Sequence, residues 1–271
     1  MSLPADSAPI LRAKDYAAQS VFQPENLLRE ARRQRDLAPG DIPEVCLLDP
    51  DGDLVRMLRD TGRATLSPHW ACYHTELWLF DCGTERIGVV GCVVGASFAV
   101  LVAEQLFASG CRLLVSVTSA GQIIESGPTP YFVLIERALR DEGTSYHYLP
   151  PAEFAAAPAA LLAPIFAALR ATDLPLRRGA TWTTDAPYRE TQTAIDAAQA
   201  HGVLAVEMEA AALYAFAAAR GRDVLCFAHV TNQMAQAEGD FEKGEANGTR
   251  DMLRLVAATM AAWRLCPENA V

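Results

Sequence analysis

No stretch of about 18 uninterrupted apolar residues occurs in this chain, which excludes a membrane-spanning helix. The opening residues, Met1-Ser2-Leu3-Pro4-Ala5-Asp6, lack the basic start and apolar block of a secretory signal, so a cytoplasmic protein is expected. Positive charge is scarce: 23 Lys and Arg face 33 Asp and Glu, for a formal net charge of −10. With no basic stripe there is no electrostatic footprint for nucleic acid, and an acidic surface does not seek anionic membranes. The five histidines, at 69, 74, 147, 201 and 229, show no H-E-x-x-H spacing, and no C-x-x-C occurs, so no metal site is indicated. The seven cysteines are an odd number; Cys46, Cys92 and Cys226 fall in apolar runs, which reads as buried free thiols in a reducing compartment.

What is present is apolar bulk. Hydrophobic residues make up 51% of the 271, enough for a substantial core and too many for disorder. Residues 1–22 read as a loose arm and 24–34 as a helix with proline near its start. A short buried strand at 45–48 runs into the turn Asp49-Pro50-Asp51-Gly52-Asp53 and a helix over 54–59. Apolar runs at 77–80 and 87–90 flank Asp81-Cys82-Gly83 as a hairpin. After a glycine-bounded link at 91–95, the pattern alternates. Helix is expected at 98–108, 151–171, 191–200, 209–219 and 252–263, and strand at 113–117, 131–135, 180–183, 204–206 and 224–230. Such alternation indicates an α/β protein with helices covering a mixed sheet. We divide it into an arm and helix (1–40) and one catalytic domain (41–271).

Polar residues collect where strands end, the place ligands favour in open α/β sheets. These are Thr118-Ser119, Glu207-Met208-Glu209, His229 with Thr231-Asn232, and the run from Thr183 to Glu190. Glu207 and Glu209 at a helix start read either as caps that favour the helix dipole or as acceptors for vicinal hydroxyls. Met208 between them reads as core or as a surface for the apolar face of a sugar. Gly91 to Ser97 reads as a phosphate cradle or as a tight turn that needs glycine. Gly95-Ala96-Ser97-Phe98-Ala99 nearly spells a nucleophile elbow with His229 as its base, but the closing glycine is alanine.

The run from Val206 to Tyr214, followed by Ala218-Ala219-Arg220-Gly221, resembles the signature of the purine nucleoside and uridine phosphorylases. Their superfamily also contains hydrolytic nucleosidases. Supporting matches are Gly95 to Glu104, Thr118-Ser119-Ala120-Gly121, Thr184-Asp185 and Val230-Thr231-Asn232-Gln233. The resemblance implies a single-domain three-layer α/β/α fold with a central mixed, partly barrel-like sheet. It also implies a homo-oligomer (dimer, trimer or hexamer), a small-molecule nucleoside partner and a pentosyltransferase that breaks an N-glycosidic bond. No cofactor is implied beyond inorganic phosphate as co-substrate. Carried over by motif, Glu207, Met208 and Glu209 would bind ribose. Tyr188, Arg189, Gln192 and Asn232 would read the base, Gly95, Thr118 and Ser119 would hold phosphate or water, and Glu209, Asn232 and Asp185 would be catalytic. Asn232 stands where the purine enzymes have Asp and the uridine enzymes Asn.

The phosphate arginines of the family fall on Leu54, Pro68 and Ser116. A dianion favours guanidinium forks, so hydrolysis on the same scaffold, with Glu44 or Asp51 as the base, stands beside phosphorolysis. A silent nucleoside-binding homologue is a third expectation.

Overall fold

The computed structural model describes residues 8–234 and 238–266; residues 1–7 of the expected arm and 267–271 of the expected catalytic domain lie outside the described residues. The elements follow as α1 (Pro24–Arg35), β1 (Val45–Asp49), α2 (Asp53–Asp60), β2 (Ala64–Leu66), β3 (Trp78–Cys82), β4 (Glu85–Gly91), α3 (Ala96–Ala108) and β5 (Leu113–Gln122). Then come β6 (Tyr131–Asp141), β7 (Phe154–Ala156), α4 (Ala159–Arg170), β8 (Leu176–Thr184), α5 (Gln192–Ala200), β9 (Val203–Glu207), α6 (Ala210–Arg220), β10 (Asp223–Asn232) and α7 (Thr249–Arg264).

These strands belong to one mixed sheet. β5 pairs in parallel with β10, β10 antiparallel with β6, and β6 in parallel with β8. β8 then pairs in parallel with β9, and β9 returns antiparallel to β5. These five close into a barrel, from which β1, β4, β3 and β2 extend as a wing. Closure removes the exposed edges that a five-stranded sheet would otherwise carry.

Alternation along the strands divides the core into layers. Cys46 and Leu48 of β1 point to the side covered by α3 and α6, whereas Val45 and Leu47 point to the side covered by α2, α4 and α7. Each fully buried leucine there contributes roughly 1.5–3 kcal/mol. α6 is buried along all of Ala210–Ala217. Its alanines let it lie close against the barrel, and Gly221 ends it in the left-handed conformation.

The structure lengthens several expected strands. β5 runs through Thr118-Ser119-Ala120-Gly121 and β10 through Thr231-Asn232, so these polar residues lie within strands rather than after them. β6 extends to Asp141 although Glu136, Arg137 and Arg140 interrupt its apolar run. The entry to the expected helix over 151–171 contains β7, which pairs with β6. Cys92 corrects the buried-thiol reading. β4 stops at Gly91, the chain turns with φ 60° at Cys92, and that thiol is exposed while the other six are buried.

Candidate active site

The site grows from one register. β9 meets β5 antiparallel with Val206 opposite Gly121 and Ala205 opposite Gln122. Continued past Val206, that register carries residues 207–209 back alongside 120–118. α6 then starts at Ala210 and Glu209 is its N-cap residue. Two acids are thereby held beside β5, and their environments separate them.

Glu207 is 3% exposed and fully engaged. One carboxylate oxygen accepts the hydroxyls of Thr181 (3.2 Å) and Thr183, and the other accepts the N–H groups of Glu209 and Ala210, both at 2.8 Å. Four donors fill the lone-pair positions of a carboxylate. Glu207 thereby caps α6 and fastens that helix to β8, and a ribose at this acid displaces one of these donors. Thr183 completes the fastening by accepting the N–H of Ala211 at 2.9 Å.

Glu209 is 1% exposed and differently placed. Its Oε1 accepts the N–H of Gly95 at 2.7 Å, and its Oε2 has no hydrogen-bond partner. Burial, then the neighbouring Glu207 charge, push its carboxyl up to about 8, against the relief offered by the Gly95 N–H and, more weakly, by the Thr118 hydroxyl and the Met208 N–H, which lie near the carboxylate without hydrogen-bond geometry. Gly95 has φ 91°, a conformation that favours glycine, and it opens α3 directly after the link at 92–95. Met208, between the acids, is partly exposed and joins none of the apolar core clusters. Asn232 is buried. It donates to the Thr231 hydroxyl (3.1 Å) and the Ala120 carbonyl (3.4 Å), and its Oδ1 accepts the N–H of Met234 at 2.9 Å. Register places it opposite Gly121, two residues along β5 from Ser119.

A second cluster stands on the neighbouring turn. The Ser119 hydroxyl donates to Asp51 Oδ2, and the Lys243 ammonium lies 2.9 Å from the same oxygen and 2.6 Å from Asp53 Oδ2. Burial raises the Asp53 carboxyl, but Lys243 and Arg56 outweigh it and the net effect is downward. Asp49, fully buried, accepts the N–H of Val55 at 3.0 Å through Oδ2 and leaves Oδ1 without a partner; burial raises it to about 6. His229 pairs in register with Ser119 and stacks on Phe132 at 4.5 Å; burial lowers its pKa to about 4, so the ring is neutral.

Other expected residues are not brought to this place. Tyr188 is 99% exposed, Arg189 is exposed, and Gln192 bonds Asp196 on its own helix at 2.8 Å. Asp185 accepts the N–H of Gly143 at 2.8 Å on an exposed loop. The loop that follows β8 is thus exposed in the single chain, and no hydrogen bond joins Asp185, Tyr188, Arg189 or Gln192 to Glu209 or Asn232 among the described residues. Ser97 lies on the exposed side of α3 and lines a separate cavity of about 700 Å³ beneath residues 15–25, and no hydrogen bond joins it to His229 among the described residues. Leu54 is fully buried against Val45, Leu47 and Leu58, and does not face an anion. Ser116 is buried with an unpartnered hydroxyl, and Pro68 is exposed. Lys243 carries no sequence signal beyond membership of a polar, glycine-containing segment.

Residues 45–261 match the sequence profile of the phosphorylase superfamily. The chain is 28% identical to the DeoD-type purine nucleoside phosphorylase of Bacillus cytotoxicus over 207 residues, covering 73% of this chain and 86% of that one. The DeoD-type purine nucleoside phosphorylase of Bacillus thuringiensis (strain Al Hakam) has the same identity and coverage. Among solved structures, uridine phosphorylase from Vibrio fischeri ES114 complexed with 6-hydroxy-1-naphthoic acid superposes with a TM-score of 0.68 at 22% identity, over 82% of this chain and 92% of that one. Another structure of the Vibrio fischeri ES114 enzyme gives 0.66 at 22% identity, over 90% and 99%.

Proposed function

This chain belongs to the phosphorylase superfamily, and we propose that it cleaves the N-glycosidic bond of a ribonucleoside with Glu209 holding the sugar. The observation that carries this reading is the divided state of Glu209: one oxygen fixed by Gly95, the other buried with no partner. A buried carboxylate oxygen without a donor is costly, and the vicinal 2′ and 3′ hydroxyls of a ribose supply the missing donors. Their hydrogen bonds favour the ionised form, so sugar binding draws the proton off Glu209. The anion then lies beside a ring that gains positive character as the bond to nitrogen stretches. Met208 offers an apolar surface beside it, and the second acceptor position of Asn232 Oδ1, beyond the bond from the Met234 N–H, is the one left for the base.

Water is the nucleophile in this reading. The turn that would receive phosphate holds Asp51, Asp53 and the buried Asp49, against one lysine and the exposed Arg56. A dianion meets a surplus of carboxylates there. Asp51 accepts the proton of a water whose oxygen bonds to C1′. The C1′–N bond breaks with its electron pair leaving on the base, which takes up a proton from solvent. The products are free ribose and free base.

Phosphorolysis is the second reading, supported by the DeoD-type relatives and by Lys243 and Ser119 at the same turn. Incubation with a panel of purine and pyrimidine ribonucleosides, with and without inorganic phosphate, separates the two. Base release at full rate without phosphate, with free ribose as the sugar product, is expected. Release that needs phosphate and yields a sugar phosphate contradicts water as the nucleophile. Tight binding with no release contradicts catalysis and leaves a silent binding protein. The exposed Val21, Phe22 and Leu101 support the accompanying proposal of a homo-oligomer.

A further inference from the structure

We infer that Lys243 is a positioning residue for the nucleophile: it spans Asp51 and Asp53 and turns the free oxygen of Asp51 toward the attacking water. The inference rests on the hydrolytic reading and adds to it a residue from a segment with no other part in the site.

The geometry is specific. Ser119 and Lys243 both address Oδ2 of Asp51, while Oδ1 accepts no hydrogen bond among the described residues. With one oxygen held by two donors, the carboxylate plane is fixed and a single oxygen is left to accept a proton. The second bond from Lys243, to Asp53, prevents the ammonium from swinging away. Asp53 is itself anchored by Arg56 at 2.6 Å, and Arg56 also donates to the Asp51 carbonyl at 2.7 Å. The lysine side chain is 22% exposed, so the contact is not a freely solvated surface pair. The segment that carries it is tied down at its base. The N–H of Gln233 bonds both oxygens of Asp240 (3.0 and 2.9 Å), and the N–H of Glu242 bonds the Thr231 carbonyl at 3.0 Å. Lys243 therefore reaches Asp51 from a residue next to Glu242, which is bonded back to the end of β10, the strand that presents Asn232 and His229.

A lysine that merely staples a loop would alter stability or substrate affinity; one that orients a base alters turnover and does so only while the base is present. The test is a double-mutant cycle in the full-length protein with base release as the readout. Lys243→Met is expected to lower kcat by about 10- to 100-fold with KM within about twofold, and Asp51→Asn to lower it by about 100- to 10,000-fold. Adding Lys243→Met to Asp51→Asn is expected to cost less than about twofold more, because the lysine acts through the acid. Lys243→Arg, which keeps the charge and both bonds, is expected to recover most of the loss. If Lys243→Met does not fold, as judged by circular dichroism, Lys243→Gln serves in the same cycle. Multiplicative losses in the double variant, an unchanged kcat in the single one, or no recovery with arginine overturns the role of Lys243 while leaving the nucleosidase reading intact. A wild-type protein inert toward every nucleoside overturns both.

Discussion

The backbone N–H of Gly95 holds Glu209 by one carboxylate oxygen across 114 positions of sequence, and the other oxygen has no partner. A group so placed is prepared for a ligand with hydroxyl donors. Glu209→Gln keeps the shape and one acceptor oxygen but removes the charge. It is expected to lower kcat/KM for a ribonucleoside by about 100- to 1,000-fold, the scale of losing one preorganised electrostatic contact. Steady-state kinetics checks this, with circular dichroism showing the fold retained. Wild-type-like kinetics in that variant contradict the sugar-binding role.

The raised carboxyl of Glu209 has consequences for pH. It lies at about 8 folded against about 4.5 ordinarily, so the folded chain binds the extra proton between those values and stability falls as pH rises through that window. Removing the group is expected to remove that slope. The melting temperature of Glu209→Gln, relative to wild type, is expected to be higher at pH 9 than at pH 5. Parallel melting curves across the window contradict the assigned burial. Affinity for a ribonucleoside is expected to rise over the same range in the wild type and to be flat in the variant, read by calorimetry.

Leu54 stands where the family's first phosphate arginine is expected, yet it is fully buried beneath the turn. Leu54→Arg therefore places a guanidinium in an apolar layer without a partner. A loss of about 3–5 kcal/mol in unfolding free energy is expected, with no gain in phosphate use. Denaturant unfolding and phosphate titration check both halves.

Gly248 opens α7 at φ 75°, and a Cβ there would lie 2.3 Å from Cε1 of His229 and 2.7 Å from the Lys243 carbonyl. Gly248→Ala is expected to cost more than about 1 kcal/mol, since the left-handed conformation and the clash add. It is also expected to lower turnover by displacing Lys243. A stable variant with full activity contradicts the close packing of this loop.

The strand and helix alternation was legible because buried strands and the α6 helix carry unbroken apolar runs. The strand-to-helix junction that carries Glu207 and Glu209 was legible, and with it the two uses of an acid there, as a helix cap or as an acceptor for hydroxyls. Which of them is free was not legible, since Thr181 and Thr183 come from a separate strand and only its register with β9 decides the matter. The base contacts assigned to Tyr188, Arg189 and Gln192 followed chain order, whereas the loop after β8 is exposed in the single chain. Lys243 meets Asp51 across 192 positions, and nothing local to either residue announces the contact. Barrel closure was foreseen by resemblance alone, because the pairing of β9 with β5 involves only two residues of each strand.

The most direct measurement is a crystal structure with a ribonucleoside analogue whose glycosidic bond resists cleavage. The 2′ and 3′ hydroxyls are expected within hydrogen-bond distance of Glu209 Oε2, with C1′ facing Asp51 and Ser119. A sugar bound elsewhere, with Glu209 Oε2 still unpartnered, contradicts the sugar-binding role of Glu209.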